Sequence, residues 1–169
     1  MADLQINACD ALTDWTNDAN CTDAVDGGDF QEGTGCIALT ATAGPAWCSD
    51  TYNPAGTWDW TGSTYLKLWV KRVAGNLVRL RITDSAAGTE YWNSTPALGN
   101  WVEQTLTFGT GLGGGFNKTI VTSIQIYLSS ANIGDVLKWD DIRVGPISGL
   151  SVPVAMHHYG HIISKVIRG

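Results

Sequence analysis

The sequence predicts an all-β fold, a two-sheet antiparallel sandwich of jelly-roll type, followed by a short C-terminal tail with helical spacing. Three observations carry this. Segments with period-two alternation recur from about residue 35 to 144, separated by clusters of Gly, Asn, Asp and Pro. No helical stripe of ten or more residues occurs before residue 150. The composition joins 44% hydrophobic residues to only 15% charged ones, with 20 glycines and 8 tryptophans, a mixture that suits many turns and aromatic-rich strands. A chain of 169 residues has room for one ordinary core, so a single domain with an appendage is expected.

The strands follow in order. Tyr65 to Lys71 alternates Leu66, Leu68 and Val70 with Lys67, Trp69 and Lys71. Val78 to Ile82 repeats the pattern with Arg79 and Arg81 outward, and Ile124 to Leu128 repeats it with Gln125 and Tyr127 outward. Trp101 to Phe108 and Val136 to Val144 complete the set. Strands with one apolar face each must bury those faces against a second sheet, which gives a sandwich over residues 1–145.

Residues 146–169 read as a linker and attachment tail. After a Gly/Pro/Ser-rich stretch, Met156, Tyr159, Ile162, Ile163, Val166 and Ile167 fall on one side at helical spacing, with Lys165 and Arg168 near the end. The sandwich is complete without this segment, so its apolar stripe is expected to dock on a partner or to pack back on the sandwich. Tyr159, Ile162, Ile163, Val166 and Ile167 are the expected assembly residues.

Charge is split along the chain. All ten Lys and Arg lie from Lys67 onward, whereas ten of the sixteen acids precede it, so residues 1–66 sum to −10 and the remainder to +4. This argues against nucleic acid as a partner and permits cation binding or head-to-tail contact between copies, hence a homo-oligomer. The start MADLQINACD has no basic flank followed by an apolar run, and no stretch approaches the ~18 apolar residues of a membrane span, so the expectation is a soluble chain that is not exported. Against this stand Cys9, Cys21, Cys36 and Cys48, confined to the first third as a disulfide framework would be. Their spacings of 12, 15 and 12 residues fit zinc poorly; buried free thiols are the alternative.

Few motifs suggest catalysis. Gly109 to Gly114 matches G-x-G-x-x-G, but a strand rather than a helix follows it, so a flexible connection is expected there. His157, His158 and His161 all lie in the tail, which leaves the sandwich without a histidine for a triad, and the acid-rich first third offers only unspecific carboxylate pairs. No catalytic residues are assigned and a non-enzymatic role is expected. Calcium is a better use for such oxygens, because Asp26 to Gly35 offers acids and carbonyls on a turn and Asp140-Asp141 sits on the last strand. Outward Trp69 and Tyr127, beside Arg79 and Arg81, would form an aromatic and polar face suited to stacking sugar rings or to anchoring a protein partner.

Several segments in succession carry a resemblance: CDALTDW from Cys9, FQEGTGCIAL from Phe30, WDWTGSTYLKLWV from Trp58, WVEQTLTF from Trp101 and WDDIRV from Trp139. Together they resemble the jelly-roll family of carbohydrate-binding modules and galactose-binding domains. The resemblance implies a structural calcium near Asp10, Glu32, Gly33 and Asp140 or Asp141, and a glycan held by concave-face aromatics, for which Trp69 and Tyr127 correspond. Modules of this kind with a short hydrophobic appendage are also similar to domains of phage structural proteins, including capsid decorations and fibres. The leading functional expectation is therefore a virion structural component, assembled in the host cytoplasm, whose tail binds capsid protein or sister subunits. The alternative is a carbohydrate-binding module that recognises a glycan through its aromatic face.

Overall fold

The computed structural model describes residues 3–145 apart from Pro45. The linker and tail, with the assembly residues expected there, lie outside the described residues. Twelve strands and no helix make up the described part: β1 (Leu4–Asn7), β2 (Trp15–Asn17), β3 (Cys21–Asp26), β4 (Cys36–Ala41), β5 (Ala46–Tyr52), β6 (Tyr65–Arg72), β7 (Leu77–Asp84), β8 (Thr89–Ser94), β9 (Trp101–Thr107), β10 (Leu112–Gly115), β11 (Val121–Ala131) and β12 (Val136–Gly145). All pairings between strands are antiparallel. The first sheet runs β3-β4-β12-β6-β9, with β1 added beside the second half of β12. The second runs β10-β8-β7-β11-β5-β2.

The expected alternation sets the core. Leu66, Leu68 and Val70 of β6 and Leu137, Trp139 and Val144 of β12 are buried from the first sheet, and Val78, Leu80, Ile82, Ile124, Ile126 and Leu128 are buried from the second. Each such side chain contributes on the order of 1.5–3 kcal/mol when removed from water. An aromatic chain runs through the interior. Trp139 meets Trp15 at 5.3 Å, Trp15 meets Tyr52 at 5.2 Å, Tyr52 stacks on Trp58, and Trp58 stacks on Trp60, which is parallel to Phe108 at 5.9 Å. Half of the eight tryptophans thus belong to this interior chain.

Several expectations are corrected. Three strands precede residue 35, where acids broke the alternation, and the glycine run contributes a short edge strand, β10, rather than only a connection. The cysteines form no disulfide framework: all four are free and buried. Their sulfurs lie against backbone carbonyls instead, Cys9 on Asn7, Cys21 on Ser49, Cys36 on Asp29 and Cys48 on Asn20. Burial pushes the Cys21 and Cys36 thiols up to about 12 and raises those of Cys9 and Cys48 as well, which keeps them from the reactive thiolate form.

Asp50 breaks the apolar pattern. It pairs in register with inward-facing Ile126, is fully buried, and neither carboxylate oxygen has a hydrogen-bond partner among the described residues. Burial, then the negative charge of Asp23, raises its pKa from 3.8 to about 7, with Asp18 adding to the effect. The folded protein therefore keeps this proton to about pH 7, whereas the unfolded chain loses it near 3.8. Stability contributed by the neutral carboxyl is complete below that lower value and falls as pH rises towards 7. Asp50→Asn is predicted to remove this loss, on the order of a few kcal/mol. Urea midpoints at pH 4.5 and 7.5 measure it, and an unchanged difference from wild type would show that Asp50 is not its source.

Candidate functional site

The outer surfaces of the two sheets differ in what remains available to a ligand. On the first sheet, Gly27 to Gly35 folds against the outward residues of β12, β6 and β9. Asp29 accepts hydrogen bonds from Lys71 at 2.9 Å, Lys138 at 2.7 Å and Trp101 Nε1 at 2.9 Å. The two ammonium groups, Lys138 foremost, hold its carboxyl well below the usual carboxylate range. Lys138 also meets Asp26 at 2.6 Å, and Lys67 lies 3.6 Å from Asp3. The cations beside Trp69 are therefore neutralised internally.

The same loop gathers part of the expected calcium set. Asp10 Oδ1 accepts the Thr34 and Gly35 amides at 2.7 and 2.8 Å, and Asp140 Oδ2 accepts those of Gln31 and Glu32, both at 2.8 Å. Gly33 has φ +68°, and a Cβ there would stand 2.6 Å from Asp10 Oδ2, so glycine is required on both counts. Asp141 turns away through a bulge in β12, where it accepts Gln5 Nε2 at 2.7 Å and pairs with Arg143 at 2.6 Å. Glu32 contributes its amide while its side chain is exposed. Among the described residues no three acidic, histidine or cysteine side chains converge as a metal-binding group. One carboxylate oxygen of this corner, Asp140 Oδ1, is nevertheless fully buried without a partner.

The outer surface of the second sheet has another character. Outward positions of β5, β7, β8 and β11 bring Trp47, Arg79, Arg81, Thr89, Tyr91 and Tyr127 around an open depression of about 370 Å³, a size within the usual range of ligand sites. The Arg79 guanidinium lies 4.5 Å from the ring centre of Trp47 and 4.5 Å from that of Tyr91. Such double stacking holds a planar cation without removing its hydrogen-bonding edge. Its Nε donates to Asn93 Oδ1 at 2.8 Å. Trp47 meets Tyr127 edge-on at 5.8 Å, and Arg81 Nη1 donates to the Tyr127 hydroxyl at 3.4 Å. That hydroxyl donates to Gln125, whose Nε2 donates to Ser49 Oγ at 3.2 Å, and Ser49 is anchored on Asp18 at 3.0 Å. Aromatic surface, amides, hydroxyls and two guanidinium groups thus share one face that no described residue covers.

The structure brings Arg79, Arg81 and Tyr127 together as expected and removes Trp69 from them. Trp69 lies on β6 in the first sheet, whereas Tyr127 lies on β11 in the second, so the two project from opposite sides of the sandwich. The chain changes sheets between β6 and β7, which alternation alone does not reveal. Sequence reasoning also missed the roles of Trp47 and Tyr91. The signal for them was Trp47, Ser49, Thr51 and Thr89, Tyr91, Asn93 at every second position, but inward Asp50 and Glu90 obscured both strands. A second concavity, of about 240 Å³, lies beside Phe108, Phe116, Glu90 and Lys118. Its charged groups are already engaged, Glu90 by the Gly111 amide at 2.7 Å and Lys118 by the Ser63 carbonyl at 2.9 Å.

The arrangement of sheets decides the architectural class. The chain has the jelly-roll fold of carbohydrate-binding modules. A family 11 carbohydrate-binding module from Clostridium thermocellum, solved in complex with a β-1,3-1,4-mixed-linked tetrasaccharide, superimposes with a TM-score of 0.69 at 13% identity, covering 87% of this chain and 98% of that one. An exo-β-agarase gives a TM-score of 0.71 at 12% identity over 86% of this chain, which spans only 25% of the enzyme's length. The enzymatically active domain of a bacteriophage CBA120 tailspike protein gives 0.56 at 15% identity over 83% of this chain and 20% of that one. No family model matches the sequence, and no curated protein does.

Proposed function

We propose that this chain is a non-catalytic carbohydrate-binding domain that holds a glycan on the outer surface of its second sheet. The observation that carries the reading is the Trp47–Arg79–Tyr91 cluster with the adjoining Tyr127–Arg81–Gln125 group on a face that no described residue covers. Aromatic rings offer apolar surface to the C–H face of a sugar, and the amides, hydroxyls and guanidinium groups offer partners to its hydroxyls. The outward strand positions of this face carry no Asp or Glu among the described residues, so the acid pair of a glycosidase has no counterpart in the depression. Likeness to carbohydrate-binding modules supports the fold on which such a face is presented. The virion role expected of the tail depends on residues outside those described, and the likeness to the phage tailspike domain is one of fold alone.

Affinity electrophoresis of the full chain through gels containing β-glucans, galactans or xylans tests the reading. Trp47→Ala, Tyr91→Ala and Tyr127→Ala are predicted to weaken retention by about 10-fold or more, as loss of a central aromatic contact does. Trp69→Ala, on the opposite sheet, should leave it unchanged. Retention that followed Trp69 and ignored the other three would overturn the assignment.

We retain calcium as a proposal for the corner formed by Asp10, Asp140 and the Glu32-Gly33 turn. Its support is the buried, unpartnered Asp140 Oδ1 beside a turn that offers further oxygens; a hard cation is a natural partner for such an atom. Asp141, held by Gln5 and Arg143, has no place in the set. Millimolar CaCl2 is predicted to raise the melting temperature of wild type and not that of Asp140→Asn. An identical melting temperature of wild type in CaCl2 and in EDTA would remove calcium from the account.

A further inference from the structure

We infer that the glycan recognised by the second sheet is anionic, bearing sulfate ester or carboxylate groups that bind the guanidinium groups of Arg79 and Arg81. This inference rests on the carbohydrate-binding reading of the same face and narrows it to a substrate class.

The protein engages its other described cations with carboxylates or backbone carbonyls. Eight Lys and Arg side chains lie among the described residues. Lys67, Lys71, Lys138 and Arg143 pair with carboxylates. Arg72 donates to the carbonyls of Pro96, Gly75 and Asn76, and Lys118 to that of Ser63. Arg79 and Arg81 alone contact only neutral side chains, Asn93 and Tyr127, together with the flanking aromatic rings. In a chain of net charge −6 there is no shortage of carboxylates with which to pair them. Yet among the described residues no outward strand position of this face carries one, and the nearby Asp18 is taken up by Ser49.

Geometry points the same way. Arg79 and Arg81 are two residues apart on β7 and project from one side, so their Cα atoms stand about 7 Å apart. Both are half-buried beside the depression. Trp47 and Tyr91, each 4.5 Å from the Arg79 guanidinium carbon, and Asn93, which accepts from its Nε, hold the group in place, and its Nη groups have no hydrogen-bond partner among the described residues. A guanidinium so held matches a carboxylate or sulfate through two parallel hydrogen bonds. Neutral hydroxyls would be served by the amides and hydroxyls already present, and require no fixed positive charge. The site therefore adds, to a sugar-stacking surface, two positive groups that no carboxylate of the described residues pairs with.

Isothermal titration of the full chain in 150 mM NaCl provides the test, with three oligosaccharide probes of similar length: neutral agarose fragments, sulfated carrageenan fragments and oligogalacturonate. At least one anionic probe is expected to bind about 10-fold or more tighter than the neutral one. The sulfated and carboxylated arms identify which anion is read. Arg81→Gln, which removes only one long hydrogen bond to Tyr127 from the folded protein and leaves Arg79 in place, should weaken the preference several-fold, and Arg81→Lys should restore it incompletely because an ammonium cannot form the paired contact. Neutral fragments binding as tightly as both anionic probes would overturn the inference while leaving the carbohydrate reading intact. A preference untouched by Arg81→Gln would also overturn it. Absence of binding to these probes and to all neutral glycans would overturn both.

Discussion

Burial of one face of each sheet against the other is the constraint on which the rest of this structure depends. Side chains alternate along a strand, so a β6 that buries Leu66, Leu68 and Val70 must turn Lys67, Trp69 and Lys71 outward, and a β7 that buries Val78, Leu80 and Ile82 must turn Arg79 and Arg81 outward. A slip by one residue would exchange the sets and expose the core. Each sheet has one other surface, and what it can bind is fixed by which residues the pattern leaves there and by what then covers them.

The two remaining surfaces have different fates for electrostatic reasons. The first is crossed by its own acidic loop, whose Asp29 is gripped by Lys71, Lys138 and Trp101 and whose second half, Gln31 to Gly35, is tied to Asp10 and Asp140. Charges are satisfied locally, and the loop occupies the place a ligand would take. Among the described residues, nothing covers the second in this way. Its arginines are oriented by aromatic rings and neutral donors and acceptors, an arrangement that fixes their geometry without neutralising them. The segregation of acids into the first 66 residues contributes directly, because the outward positions of β7, β8 and β11 lie beyond that stretch.

Much of the fold was legible because the long strands obey one periodic rule. The class of architecture, the core positions of β6, β7 and β11, and the outward placement of Arg79, Arg81 and Tyr127 all follow from it, whereas β12 departs from it at the bulge after Asp140. Three things were not legible, each for a physical reason. Which sheet a strand joins depends on long-range pairing, so Trp69 and Tyr127 shared a face by pattern and are separated in space. Buried polar residues break the apolar rhythm, so Asp50 and Glu90 hid the strands that present Trp47 and Tyr91. Cysteine count cannot distinguish a disulfide framework from buried thiols, because that depends on which sulfurs the fold brings face to face.

The central claim is that recognition occurs on the second sheet and not on the first. Backbone amide chemical shifts recorded while a retained oligosaccharide is titrated into the full chain test it most directly. The account predicts that perturbations concentrate on Trp47 to Thr51, Arg79 to Thr83, Thr89 to Asn93 and Gln125 to Tyr127, with β4, β6 and β9 unaffected. Perturbations centred on Trp69, Glu103 and the Asp29 loop would contradict it.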